Sequence, residues 1–385
     1  MAWAGAYALL STIVAVVFAG GILLGPYRAV QRSDYMTYHM AARIVLDGHG
    51  ACLYDERCQA DEQLELIGVE PTFVNGPLPY NDPPWFAALV VPLGWLPLTT
   101  GFAIFTLLAL AMLAWGTWRA ATHAGLSGLA PRVLATILVL TAWPTVLAAI
   151  RGQSTLLAAG LLGLSVGLAR YRSGLALGLS LLKPTVAPLW GAWQLLGGHW
   201  RAVGTAFVTW VVFLLVTGFV VSPQALIDYP GHLLGVAGAN AVGVHPEEMV
   251  NWRGAAERLD LGLWFVIGGS LITLALVAFA WMRSPSRHLA AAAAFIATPM
   301  VVPHANQHLF VLATIGILLA VVAVPELRGR LATVAIVLHL VAWGGVALDG
   351  QAGAWLLFGL ELGWLLVVVW MTGSREQTDF AQSSS

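Results

Sequence analysis

The chain has 385 residues, 59% of them hydrophobic and 10% charged, with a net charge of -1 and a mean hydropathy of +0.80. A soluble domain of this size carries about a quarter charged residues, so there is too little polar surface here to cover a globule in water, and lipid must be the main solvent. No basic patch of the nucleic-acid-binding kind occurs, which removes that class.

Taken in chain order, the first apolar segment is Trp3 to Gly25. It lacks the positively charged start of a secretory signal, and its apolar run exceeds the usual core of about 7–15 residues, so a retained first helix is expected. Placing its start in the cytoplasm makes residues 26–83 a long outside loop rich in Asp, Glu, Tyr and Pro. Cys52 and Cys58 both fall in that loop, where they read either as a small disulfide of an exported segment or as two unlinked thiols. Pro83-Pro84 opens a short apolar stretch to Pro97 that suits a re-entrant or interfacial helix.

A crossing helix needs about 20 apolar residues, and Lys and Arg concentrate in cytoplasmic loops. The run at about 99–118 ends at Arg119 and His123, that at 133–150 leads out to Arg151-Gly152-Gln153, and that at 154–169 returns to Arg170 and Arg172. Short runs then rise to Lys183-Pro184 and descend to His199 and Arg201. The run at 202–221 leads to a second long outside loop, 222–260, and that at 261–282 returns to Arg283, Arg287 and His288. Runs at 289–302 and 308–324 flank Pro303-His304, and a last pair, about 331–348 and 353–371, flanks Asp349 and Gln351. The expected fold is therefore an all-α polytopic membrane protein of about twelve transmembrane helices, with residues 1–385 forming one membrane domain. No inverted repeat of the transporter kind is visible.

The inside charges (Arg119/Arg132, Arg170/Arg172, Arg283/Arg287, Arg328/Arg330) are sufficiently explained as topology anchors. The outside set, Asp34, Arg151, Lys183, Arg253 and His304, is sparse and needs another reason, for which a functional site is the natural one. Asp34, in Arg32-Ser33-Asp34-Tyr35, is a candidate general base if an apolar wall raises its pKa; its structural alternative is the N-cap of a helix beginning at Tyr35. His39, His49, His232 and His245 match no zinc spacing, and His304 with His308 lacks a nearby carboxylate, so no metal and no other cofactor is expected.

The chain resembles the GT-C class of lipid-linked sugar transferases, and within it glycosyltransferase family 87. The residues that carry the likeness are Asp34-Tyr35 with Tyr38 and Ala41-Ala42, Gly48 with Leu53-Tyr54, and Pro-Tyr-Asn-Asp-Pro-Pro-Trp at 79–85. They continue with Gly152-Gln153, Lys183-Pro184, Asn251-Trp252-Arg253-Gly254, and Pro303-His304 with His308. Where the family often pairs adjacent histidines after Ser-Trp, this chain has Pro303-His304-Ala305-Asn306-Gln307-His308, which leaves the role open between His304 and His308.

The resemblance implies a GT-C-type fold with its site on the periplasmic or extracellular side of the cell membrane. It implies inverting transfer of a hexose, mannose first, from a polyprenyl-phosphate sugar to a lipid or glycan acceptor. Asp34 would be the catalytic base. The leaving phosphate needs fixed cations or donors: Arg253 first, then Lys183 and His304, with Gln153, Asn251 and His308 as further substrate-binding positions. The structural alternatives are a surface pairing of Arg253 with Glu247, Glu248 or Glu257, snorkelling of Lys183, and a helix-start role for Gln153. Arg151 reads as an interface anchor. The rival functions are arabinofuranosyl transfer from the same donor class, a transporter or flippase of lipid-linked sugars, and a scaffold without catalysis.

Overall fold

The computed structural model describes residues 28–68, 78–236, 245–283, 286–324 and 350–383, with a few isolated positions besides. The expected spans at Trp3 to Gly25 and about 331–348 fall almost wholly outside the described residues. Within them every regular element is a helix, and one isolated antiparallel bridge joins Met249 to Asn306. In chain order the helices of seven residues or more are α1 (Asp34–Leu46), α2 (Glu56–Ile67), α3 (Pro84–Val90), α4 (Leu98–His123), α5 (Leu129–Leu140), α6 (Trp143–Arg151), α7 (Thr155–Gly167) and α8 (Arg170–Ser180). There follow α9 (Pro188–Leu196), α10 (Trp200–Val220), α11 (Pro223–Val236), α12 (Trp252–Arg258), α13 (Leu263–Arg283), α14 (Arg287–Val301), α15 (Val311–Ala323) and α16 (Gly350–Ser383).

Four of these are long and apolar enough to cross a membrane: α4, α10, α13 and the Gly350–Thr372 part of α16; α5 and α6, bent by 58° at their junction, make a fifth if they form one span. Pro144 explains the bend, because a proline in the first turn of α6 supplies no N–H to continue the ladder of α5. The other apolar runs fold as shorter helices, among them α7, α14 and the Gln307–Ala323 segment that contains α15. The stretch expected between Pro83 and Pro97 is a helix of 7 residues, α3, extended by one tight turn at Val91–Leu93.

The two segments expected as long loops are largely helical. In the first, α1 is buried along nearly its whole length. In α2, Asp55 caps the helix by accepting from the N–H groups of Arg57 and Cys58, each at 3.0 Å. Cys52 and Cys58 are joined by a disulfide across this turn. They should therefore resist thiol reagents in oxidised membranes and become labelled after reduction; full labelling without reductant would count against the bond.

Two kinds of helix follow from the side-chain pattern. On α10 and α13, Phe219 (93% exposed), Trp264 (83%) and Met282 (79%) are turned outward, as expected of apolar surface facing lipid. The interior is built around α14, where every residue from Leu289 to Met300 is buried; its alanine run lets neighbours approach from all sides. Beside it α4 and α7 run parallel in close contact. A Cβ on Gly160 would lie 2.5 Å from the Met112 carbonyl oxygen, and one on Gly167 would lie 2.7 Å from that of Arg119. The starts of both helices thus share one end of the bundle, and Arg119 and Gly167 share the other.

Candidate active site

Ser33 holds the N-cap position of α1, in extended conformation, and its hydroxyl donates to the Val30 carbonyl at 2.6 Å. Asp34 is consequently the first helical residue, and its half-buried carboxylate is left for another partner: it accepts a hydrogen bond from the Gln153 side-chain amide. The next residue, Tyr35, is fully buried against the rings of Phe102 and Phe105, with centroids 5.7 and 5.5 Å away, which fixes the rotation of α1.

Gln153 reaches Asp34 because of the way α6 ends. Gly152 takes a left-handed φ of +62°, with Gly152 N–H bonded to Ala149 O at 3.1 Å and Gln153 N–H to Ala148 O at 2.8 Å, a Schellman closure. A Cβ at Gly152 would stand 2.6 Å from Tyr35 Cβ, so glycine is needed both for the turn and for the approach to α1. Gly152→Ala is expected to lower thermal stability by about 1–3 kcal/mol and to reduce activity by misplacing Gln153; an unchanged melting temperature would show that the contact is not tight.

Beside Gln153, the Ser154 hydroxyl has its whole hydrogen-bonding capacity in use. It donates to Asp82 at 3.1 Å and accepts from Lys183 Nζ at 3.1 Å and from the buried Tyr38 hydroxyl at 3.3 Å. Lys183 Nζ also lies 3.5 Å from Gln153 Oε1 and 3.7 Å from Asp82 Oδ1. Lys183 precedes Pro184 and is extended there (φ -128°, ψ 89°), which ends the preceding turn and lets the side chain enter this network. Asp82 is fastened from behind: Tyr54 OH donates to its carbonyl at 2.9 Å, and Tyr80 OH to that of Pro83 at 2.8 Å. His232 of α11 faces Asn81 Oδ1 at 2.9 Å and the Tyr54 ring, tying the second long segment to the first.

A second wall comes from the segment before α12 and from the turn after α14. Val250 N–H bonds to Ala305 O at 2.8 Å, and Asn251 spans the same gap, donating to Val302 O at 2.7 Å and accepting from Gly254 N–H at 2.8 Å. Asn251 is 1% exposed, and both of its amide groups are engaged by backbone, which fixes this wall. Arg253 donates to Pro303 O at 3.4 Å. The Nδ1 atoms of His304 and His308 are buried and have no hydrogen-bond partner among the described residues.

Burial pushes the Asp34 pKa above the usual carboxylate value, against the opposing pull of Arg151, the Gln153 hydrogen bond and Lys183. Burial, together with the charges of Lys183 and Arg253, pushes His304 down to about 4, so at neutral pH it is an uncharged imidazole. The charge of Arg151 also acts on Asp34 and His308. Of the expected residues, Asp34, Gln153 and Lys183 share one hydrogen-bonded network, with Arg253, His304 and His308 around it. Tyr38, already quoted with Asp34 in the family likeness, completes it together with Asp82 and Ser154, which had not been singled out. Asp82 lay inside the quoted Pro-Tyr-Asn-Asp-Pro-Pro-Trp motif, and Ser154 beside Gln153, so adjacency was the one signal available.

The sequence model of glycosyltransferase family 87 matches residues 80–303. The chain belongs to glycosyltransferase family 87. It is accordingly a membrane glycosyltransferase. No curated protein and no solved structure matches it. The family match covers Asp82, Arg151, Gln153, Ser154, Lys183 and Arg253, whereas Asp34, His304 and His308 lie outside it; the fold, through Gln153 and Lys183, joins those three to this family 87 core.

Proposed function

We propose that the protein is an inverting hexosyltransferase that moves a sugar, mannose first among the candidates, from a polyprenyl phosphate to a lipid or glycan acceptor. In this reading it is a GT-C-type enzyme of about twelve crossings, and the cleft opens on the periplasmic or extracellular side of the cell membrane. The observation that carries the reading is the facing of one half-buried carboxylate, Asp34, by the cations Lys183 and Arg151, with two histidines near Lys183 whose Nδ1 atoms have no partner among the described residues.

The chemistry follows from those groups. The acceptor hydroxyl oxygen attacks the anomeric carbon while Asp34 takes its proton. The bond from that carbon to the phosphate oxygen breaks, and the electron pair leaves on the polyprenyl phosphate. A single displacement inverts the anomeric configuration. Lys183 and Arg253 hold the phosphate as its charge grows, and neutral His304 or His308 donates a hydrogen bond to it. Gln153 fixes the Asp34 carboxylate and leaves the rest of that group for the acceptor.

Purified protein incubated with a panel of polyprenyl-phosphate sugars and acceptor lipids, with products read by mass, tests the proposal. Transfer from polyprenyl-phosphate mannose and none from nucleotide sugars is expected. Transfer from nucleotide sugars alone, or only from a pentofuranosyl donor, would overturn the donor or the sugar respectively.

A further inference from the structure

Far from the cleft, the other end of the α4/α7 pair carries a cavity of about 540 Å³ lined by Arg119 and His123 of α4, the Gly167–Ala169 connection, and Arg170, Tyr171 and Arg172 of α8. From Phe102, which abuts Gly152 at the cleft, α4 descends about 26 Å to Arg119 at 1.5 Å per residue. That distance is close to the thickness of a hydrocarbon core, about 30 Å, so cavity and cleft lie at opposite faces of the membrane.

The charge around the cavity is of one sign. Among the described residues Arg119, Arg170 and Arg172 form no ion pair with a carboxylate, and no Asp or Glu occurs between Asp82 and Asp228. Neighbouring cations reinforce it: the Arg201 guanidinium sits 5.8 Å from the Tyr171 ring centroid, and Arg287 bonds to Ser165 O at 2.9 Å and Ser173 Oγ at 3.1 Å behind the rim. Topology anchors need only be basic and near the surface. They need not converge from two helices on one concavity, where like charges repel unless an anion lies between them.

We propose that this cavity binds the phosphate of an anionic lipid headgroup, with Arg119, Arg170 and Arg172 as its cationic wall. Guanidinium groups match phosphate oxygens in pairs, and basic pockets between membrane helices take up such headgroups. The position at a membrane face and the apolar Leu168 at the rim suit a headgroup whose chains lie along the adjoining helices. The site would couple the protein to the lipid of the leaflet opposite the cleft and takes no part in the transfer itself.

The test is lipid binding by delipidated protein in detergent, read by native mass spectrometry with phosphatidylglycerol against phosphatidylcholine. Saturable binding of the anionic lipid is expected, weakened about fivefold for each arginine replaced by glutamine. Arg57→Gln, which removes one exposed cation at the cleft end, should leave it unchanged. Arg170→Gly guards against misfolding as an explanation. Arg170 stands at φ +50°, where glycine relieves strain, so this variant should keep or raise thermal stability while losing affinity. Equal binding of the two lipids, or preference for phosphatidylglycerol surviving the triple Arg→Gln variant, would overturn the proposal. Arginine-dependent stabilisation by inorganic phosphate without any by phosphatidylglycerol would overturn it as well, by assigning the cavity to a free anion.

Discussion

Asp34→Asn is expected to slow turnover by roughly 10²–10⁴-fold while expression and melting temperature hardly change. Asparagine keeps the size of the side chain and still offers a carbonyl oxygen to the Gln153 amide, and the N-cap of α1 is Ser33, which the substitution leaves alone. The pH profile gives a second measurement. Burial raises the Asp34 pKa, and only the ionised form can take a proton, so wild-type activity should fall as pH drops through that raised value. The residual rate of Asp34→Asn should lack this acidic limb. Near-normal turnover, or an acidic limb that survives the substitution, would remove Asp34 from the chemistry.

Lys183→Met is expected to cost about 10²–10³-fold in kcat, the usual consequence of losing one preorganised charge donor, and to raise the donor KM, because the phosphate is charged before the reaction begins. Lys183 also helps hold the Asp34 pKa down, so the acidic limb should move to higher pH in this variant. The substitution further strips Asp82, 13% exposed, of its ion-pair partner, and a carboxylate left so enclosed destabilises the fold. Adding Asp82→Asn removes that charge. The double variant should regain the melting temperature and stay inactive. Recovery of activity along with stability would mean that Lys183 merely neutralises Asp82, and the phosphate would fall to Arg253 and the histidines.

The sequence exposed the parts of this arrangement that composition and charge control. The spans α4, α10 and α13 coincide closely with their apolar runs, because long uninterrupted hydrophobic stretches leave little choice of structure in lipid. Asp34 and Lys183 stood out among the sparse charges expected outside, and Gln153 through the family likeness. Three things were hidden. The helical order of α2, and of α1 beyond the start suggested at Tyr35, was masked by a polar composition that reads as loop, although Tyr35, Tyr38 and the apolar residues that follow face inward. The direct link of Asp34 to Gln153 depends on the left-handed turn at Gly152, a long-range fit that no local pattern announces. The engagement of Asn251 by backbone depends on Val302 and Gly254 arriving beside it.

The length of α7 has a consequence for depth. Its 13 residues rise only about 20 Å, roughly 10 Å less than a hydrocarbon core. One end adjoins the arginines at Arg170 and Arg172, which belong at a headgroup surface, so the Ser154 end stops short of the opposite surface. In the proposed reading, the floor made by Gln153 and Ser154 therefore lies somewhat below the membrane surface at the end opposite Arg119. A long-chain lipid could bring its phosphate to that floor with its tail still in the bilayer, whereas a water-soluble acceptor would have to descend to meet it.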